Sequence, residues 1–189
     1  SLPDAQTWFS AARIWLDTQG ARPQKPAENA GLSRPAGAAG EMSFSAVAVV
    51  LRLDGRIVGK AWARGPGTPA VAEALEKALA ETRADRRIAT LPPDLGAELG
   101  RRLTLELEFA GAPIALVGDR LDLMATRIEP ALDAFAIRNG ERWVFALPCT
   151  IQAYNQSSVM NYLALTLASE VGLDPAASKD LKIPDGAAA

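Results

Sequence analysis

The sequence contains no histidine and only one cysteine, and these two shortages limit its chemistry. Without histidine the chain lacks the commonest general base, the base of Ser–His and Cys–His nucleophiles, and the commonest metal ligand. A single cysteine, Cys149, forms neither an internal disulfide nor a cysteine-rich zinc site. The groups left for catalysis are carboxylates, lysine, tyrosine, hydroxyls and one thiol. We therefore expect no metal, no disulfide and no cofactor.

A charge excess and a long apolar run are also missing. The chain has 20 Lys and Arg against 22 Asp and Glu, which gives no electrostatic reason to expect nucleic acid or an anionic membrane as a partner. No apolar run is long enough to span a bilayer. A hydrophobic fraction of 49% with 22% charged residues is typical of a soluble folded domain. The chain begins at Ser1, so we expect a trimmed N-terminus, compatible with a removed signal peptide, and the compartment stays open.

Apolar periodicity and turn signals predict alternating helices and hairpins. The final helix is expected to begin at Ser157 or Ser158 and to end at Gly172. The predicted elements in chain order are a helix over 4–19, a mobile loop at about 21–41, a hairpin over 44–64 with an Asp54-Gly55 turn, a helix over 68–84, strands over 103–109 and 114–117, a hairpin over 135–147 with an Asn-Gly corner in 138–141, the final helix, and an irregular tail from about 174.

Patterning within these elements predicts which side chains are buried. The Val-rich run from Phe44 to Leu53 is almost continuously apolar, which indicates a strand buried on both faces. Residues 103–109 alternate, so Glu106 and Glu108 are expected to face water, and Thr68 is expected to cap the second helix. In that helix the residues expected to face inward are Val71, Leu75, Ala78, Leu79 and Thr82.

The element order favours an α+β fold, in which a mixed, largely antiparallel sheet built from hairpins carries about three helices. The length fits a single domain over residues 1–189, in one lobe or two.

The segments "VAVVLRLDGRIVGKAW" and "RIEPALDAFAIRNGERWVFALPC" resemble the AMMECR family. "VAVVLRLDGRIVGKAW" is similar to a strand–turn–strand of that family, whose hallmark reads Leu-Arg-Gly-Cys-Ile-Gly. Aligned on Gly59, the chain has Lys60 at the hallmark cysteine and Trp62 at the last hallmark glycine. In "RIEPALDAFAIRNGERWVFALPC" the family pattern is matched by Ile128, Glu129, Ile137, Gly140, Leu147 and Pro148, whereas family glycines are replaced by Ala131 and Ala134. The resemblance implies a two-lobed α+β domain and no established reaction.

Four sets of side chains are candidates for a site. Lys60 and Trp62, two residues apart on one strand face, would form an anion-binding or stacking site, or else a buried ring beside a lysine that reaches solvent. The run "TIQAYNQSS" offers Gln152, Tyr154 and Asn155 as hydrogen-bonding groups, or caps of the next helix. Other candidates are Cys149, which the sequence favours as a small buried side chain rather than a nucleophile, and the carboxylates Glu106 and Glu108, which it favours as solvent-facing groups.

The absence of a catalytic constellation favours a non-catalytic binding or protein-interaction module whose partner is a small polar ligand or another protein. The alternative is an enzyme that acts on a small polar substrate in a cleft near Lys60, Cys149 and Tyr154. That alternative requires at least two of these side chains to converge on one solvent-reachable concavity.

Overall fold

The computed structural model describes residues 2–20, 44–92, 94–95, 98–115, 129, 132–148 and 167–172. The chain divides into two compact units, Ser1–Ala112 and Pro113–Ala189. Helices and antiparallel sheets give an α+β fold, as the sequence predicts. Within the described residues no helix combines the length and hydropathy that a membrane crossing needs. The loop predicted at 21–41 and the tail predicted from 174 lie outside these residues, as does the start of the final helix.

The first unit is a three-stranded antiparallel sheet with helices. Its sheet order is β2-β1-β3, so the first strand of the hairpin lies in the middle. Its elements are α1 (Leu2–Gly20), β1 (Ala46–Leu53), β2 (Arg56–Arg64), α2 (Gly67–Ala84), α3 (Arg86–Ala89), α4 (Leu99–Arg102) and β3 (Thr104–Ala110).

The turn between β1 and β2 has the predicted geometry. Asp54 and Gly55 have φ angles of 50° and 79°, and two positive values at the central residues define a type I′ turn. The pairing register shifts once, between Leu51 and Arg52, and is regular from there to the far end of the hairpin. The residues of β2 after the bulge therefore alternate strictly between the two faces of the sheet.

The main core lies between one face of the sheet and the helices α1 and α2. The middle strand β1 is buried on both faces over Ala46–Leu51, which confirms the prediction from its Val-rich run. All five residues expected to face inward from α2 are buried. That helix begins at Gly67 after an extended Pro66, which makes no side-chain capping hydrogen bond, so the predicted cap at Thr68 is wrong. Gly67 has a φ of +73°, a conformation that glycine reaches without strain.

The helix α1 buries Trp8, Ala12 and Leu16, whereas Phe9 is 42% exposed. Arg13 fixes this helix to the chain that enters β3. Its guanidinium donates to the carbonyl of Leu103 at 2.6 Å and to the carbonyl of Gly100, and it pairs with the carboxylate of Asp17. Because one guanidinium satisfies several acceptors, a single side chain orders both segments.

Two predictions for the third strand and the segment that follows it are wrong. Glu106 and Glu108 are half-buried rather than turned fully to water. Ile114 is 84% exposed and lies outside any strand, because β3 ends at Ala110 and Pro113 has no N–H to contribute to a ladder. Residues 116–117 of the strand predicted over 114–117 lie outside the described part of the chain.

The second unit contains the hairpin β4 (Phe135–Asn139) and β5 (Arg142–Ala146), and the short helix α5 (Ala168–Glu170). Asn139 pairs with Arg142 inside the ladder, so the two-residue loop is Gly140-Glu141 and the predicted Asn-Gly corner is wrong by one position. Gly140 has a φ of +60°, as the first central residue of a type II′ turn requires. The Asn139 amide donates to the carbonyl of Val171 at 2.9 Å, which holds Asn139 in the strand.

The helical end of this unit agrees with the predicted pattern where it is described. Leu167 and Val171 are 1% and 2% exposed, so both face inward, and the helix ends before Gly172 as predicted. Gly172 has a φ of +78°, the left-handed conformation that commonly follows a helix.

Candidate functional site

The candidate site residues Lys60 and Trp62 lie on the face of the first sheet that is turned away from the main core. Residues directly opposite each other in an antiparallel pair project to the same side. Lys60 lies opposite Val50, which lies opposite Glu106; Trp62 lies opposite Ala48, which lies opposite Glu108. We call this side the outer face; its members include Ala46, Ala48, Val50 and Arg52 of β1, Lys60, Trp62 and Arg64 of β2, and Thr104, Glu106, Glu108 and Ala110 of β3.

The outer face has a small apolar middle and polar flanks. Ala46, Ala48 and Val50 are at most 4% exposed, so water does not reach the middle strand. The flanking Lys60 and Trp62 on one side are half-buried. The acidic flank on β3 lies two strand spacings from the basic flank on β2, roughly 10 Å between backbones. A ligand would therefore meet the ends of the flanking side chains rather than the floor.

The acidic flank is partly neutralised within the face. The Arg52 guanidinium lies 3.2 Å from the Glu106 carboxylate, and both groups are partly exposed. An ion pair of this kind contributes little to stability, but it sets the orientation of the two side chains. The pair also leaves the β2 flank, with Lys60 and Arg64, as the more basic side of the outer face.

The backbone that carries Lys60 is held by α2. A Cβ atom on Gly59 would overlap the Thr82 hydroxyl and the carbonyl of Ala78, so the strand approaches the helix as closely as a glycine allows. The next residue is fixed as well, because the N–H of Lys60 donates to the Glu81 carboxylate at 2.7 Å. Lys60 is therefore mounted on a rigid segment.

The corner between α2 and α3 gives a second attachment of β2. The Asp85 carboxylate accepts from the side chain and the N–H of Arg87, and the Arg87 guanidinium also donates to the carbonyl of Ile57 at 3.2 Å. The hydrogen bonds from Arg87 lower the pKa of Asp85 from 3.8 to about 2, because they favour the ionised carboxylate. This cluster is a structural clamp with a helix N-cap, not a catalytic pair.

A group that the sequence did not single out lies on the second unit's hairpin. The indole of Trp143 stacks on Phe145 with ring centroids 5.8 Å apart, and the Arg138 guanidinium lies 5.4 Å from the Trp143 ring. Arg138 pairs directly with Trp143 across the ladder. Arg138 lies two residues before the Gly140-Glu141 loop and Trp143 two residues after it. With the loop placed correctly, this spacing would have predicted that the two residues pair. Arginine–aromatic contacts of this kind are common in binding surfaces.

The structure places Lys60 and Trp62 on the same face as the candidate carboxylates Glu106 and Glu108, and it describes none of the other candidates. Lys60 and Trp62 share the outer face, as their spacing predicts. Cys149, Gln152, Tyr154 and Asn155 lie outside the described residues, so the cleft that would join Lys60 to Cys149 and Tyr154 stays a prediction. Across the described part of the chain, no three His, Cys, Asp or Glu residues come close enough together to hold a metal ion.

Comparisons with known proteins identify the fold and no more. No family model and no curated protein matches the chain. Among solved structures, the crystal structure of an uncharacterised protein from Pyrococcus horikoshii is similar over 93% of this chain and 83% of that chain, with a TM-score of 0.59 and 18% sequence identity. At this identity the likeness shows a shared α+β fold.

Proposed function

We propose that the protein is a non-catalytic binding module of the AMMECR type, and that Lys60 and Trp62 on the outer face contact its ligand. The observation that carries the proposal is the position of this pair. The two side chains share one face of β2, are half-buried and lie outside the core cluster.

The two side chains define a ligand chemistry. A lysine ammonium is a compact point charge that pairs with a carboxylate or phosphate, and an indole offers a flat apolar surface for stacking. Their backbones are two strand residues apart, about 6.5 Å. A small polar ligand with an anionic group next to a flat ring fits this spacing. The acidic flank with Glu106 and Glu108 would disfavour a ligand that carries several negative charges.

The positions of the AMMECR hallmark are split between the two faces of the sheet: the retained position lies on one face and the changed positions lie on the other. This arrangement supports the family proposal. Gly59, which keeps the hallmark glycine, faces α2, where a side chain would overlap the helix. The changed positions, Lys60 and Trp62, both lie on the outer face. The packing requirement is thus retained while the outer face has acquired a charge and a large ring. We infer that this chain keeps the scaffold and binds a different ligand from relatives with the intact hallmark.

Three related probes separate the expected contributions: benzoate has an anion and a ring, acetate has only the anion, and benzyl alcohol has only the ring. The difference between wild-type fluorescence and that of Trp62→Phe isolates the signal of this indole from the other three tryptophans. We expect benzoate to perturb the Trp62 signal at lower concentration than either of the other probes. Lys60→Ala should weaken benzoate at least about tenfold, since it removes the charge-assisted contact.

The matched control is Lys77→Ala, which removes an exposed lysine paired with Glu73 on α2. It should leave the titration unchanged. Equal affinity for benzoate in Lys60→Ala and wild type would refute the role of Lys60, and no response to any probe would refute the binding face. Chemical conversion of a bound probe that is lost in Cys149→Ser would instead support the enzyme alternative.

A further inference from the structure

The edge of β2 that points away from β1 is occupied by two side chains from the neighbouring helices. Among the described residues β2 pairs only with β1, so its other side is a sheet edge. There the N–H of Lys60 donates to the Glu81 carboxylate at 2.7 Å, and the carbonyl of Ile57 accepts from the Arg87 guanidinium at 3.2 Å. Glu81 and Arg87 are both exposed residues. Their contacts with the strand backbone are therefore not a consequence of core packing.

An unprotected edge strand is a template for pairing with another chain, because it presents a row of backbone donors and acceptors. A carboxylate at a strand N–H replaces the carbonyl of a partner strand, and a guanidinium at a strand carbonyl replaces its N–H. Glu81 and Arg87 together thus reproduce, over Ile57–Lys60, the two kinds of hydrogen bond that a fourth strand would form. Both groups also place charge where an incoming backbone would have to lie.

Both side chains are positioned before any partner arrives. Glu81 precedes Thr82, the residue whose hydroxyl limits the space above Gly59, so the approach of helix and strand holds the carboxylate at the edge. Arg87 is held by Asp85, whose carboxylate accepts from its Nε at 2.9 Å and from its Nη2 at 2.6 Å. Because Glu81 and Arg87 are already held in place, their contacts with the strand backbone cost little further side-chain entropy.

We propose that Glu81 and Arg87 are guards that prevent the Ile57–Lys60 edge from pairing with the same edge of a second copy of this chain. The segment Ile-Val-Gly-Lys begins with two β-branched residues, which favour strand pairing. Two identical antiparallel edges pair about a two-fold axis, so a second copy satisfies every backbone group that one copy exposes. The guards are independent of the proposed ligand, because they act on the backbone and not on the outer face.

The test compares self-association of the double variant Glu81→Ala/Arg87→Ala with that of Glu76→Ala/Arg86→Ala. The control removes the same charges from exposed positions on the same two helices. Light scattering after size exclusion, over a range of protein concentrations, should show the guard variant forming dimers or larger species at concentrations at least tenfold below those of wild type and control. The same mass distribution in a folded guard variant and its control would overturn the proposal.

A second measurement decides the matter if the double variant does not fold. In the single variant Glu81→Ala, the amide hydrogen of Lys60 should exchange about tenfold faster in dilute solution, because it has lost its acceptor. Raising the protein concentration should restore its protection, while Glu81→Gln, which keeps an acceptor oxygen, should behave like wild type throughout. Exchange at Lys60 that is unchanged in Glu81→Ala, or insensitive to concentration, would contradict the guard role.

Discussion

The two faces of the three-stranded sheet are equally buried along the middle strand and differ on the strands beside it. Val47 and Val49 on the inner face are as inaccessible as Ala46 and Val50 on the outer face. On β2, however, the inner face carries glycine and alanine against a helix, and the outer face carries Lys60 and Trp62. Burial of a central strand therefore does not show which face is the core. The flanking strands distinguish them, because the inner face packs against the helices and the outer face carries Lys60 and Trp62, the proposed ligand contacts.

The largest expected effect comes from truncating the inner face. Leu105 is 6% exposed and belongs to the core cluster, so Leu105→Ala should lower the free energy of unfolding by about 2–5 kcal/mol. The exposed neighbour Thr104 is the control, and Thr104→Ala should change it by less than about 0.5 kcal/mol. Chemical denaturation of both variants measures the difference. Similar midpoints for the two variants would mean that the assignment of faces is wrong.

The next effect comes from adding one methyl group where β2 meets α2. Gly59→Ala places a Cβ atom against the Thr82 hydroxyl and the carbonyl of Ala78, and backbone atoms cannot move aside cheaply. We expect a loss of about 1–3 kcal/mol, as for other overpacked cores. Gly111→Ala adds the same methyl group in open space and should be close to neutral. A thermal melt in which Gly59→Ala matches Gly111→Ala would contradict the close approach.

Substitutions on the outer face should weaken ligand binding and change stability little. Lys60→Ala and Trp62→Phe should each change the free energy of unfolding by less than about 1 kcal/mol, since neither side chain is part of the core. Both variants should nevertheless weaken benzoate binding, which isothermal titration calorimetry measures without relying on Trp62 fluorescence. Binding that follows stability across the inner-face and outer-face variants would remove the distinction between the faces, whereas loss of binding at unchanged stability would sharpen it.

The sequence predicted the elements of the sheet better than it predicted their ends and their exposure. The Asp-Gly turn and the Val-rich strand are local signals, which is why Asp54 and the run to Leu53 were placed correctly. The helix start at Gly67 was missed because it has no side-chain cap. The partial burial of Glu106 was also missed. Its carboxylate pairs with Arg52, which is 54 positions away, and no local pattern reveals that partner.

The candidate site shows the same limit. A spacing of two residues sufficed to place Lys60 and Trp62 on one face, since side chains alternate along a strand. The acidic residues across from them depend on the pairing register of β3, which the sequence of one strand does not contain. Arg138 and Trp143 were missed because the loop of their hairpin was placed one residue too early.

The smallest expected effect concerns the clamp that attaches the α2–α3 corner to β2, which belongs to neither face. Hydrogen bonds from Arg87 lower the pKa of Asp85 from 3.8 to about 2 in the folded protein. A carboxyl group with a lowered folded-state pKa stabilises the fold fully above the unfolded pKa and loses that contribution as the pH falls through the folded pKa. The contribution should therefore be present at pH 5 and disappear between about pH 4 and pH 2.

Wild type should lose more thermal stability over that interval than Asp85→Asn, which keeps a helix-capping side chain but does not titrate. Arg87→Ala should reduce the pH dependence to the same extent, because the two groups act as one unit. Parallel melting-temperature profiles for wild type and both variants would show that the clamp is too exposed to contribute, and would leave the close contact at Gly59 as the main attachment of β2 to its helix.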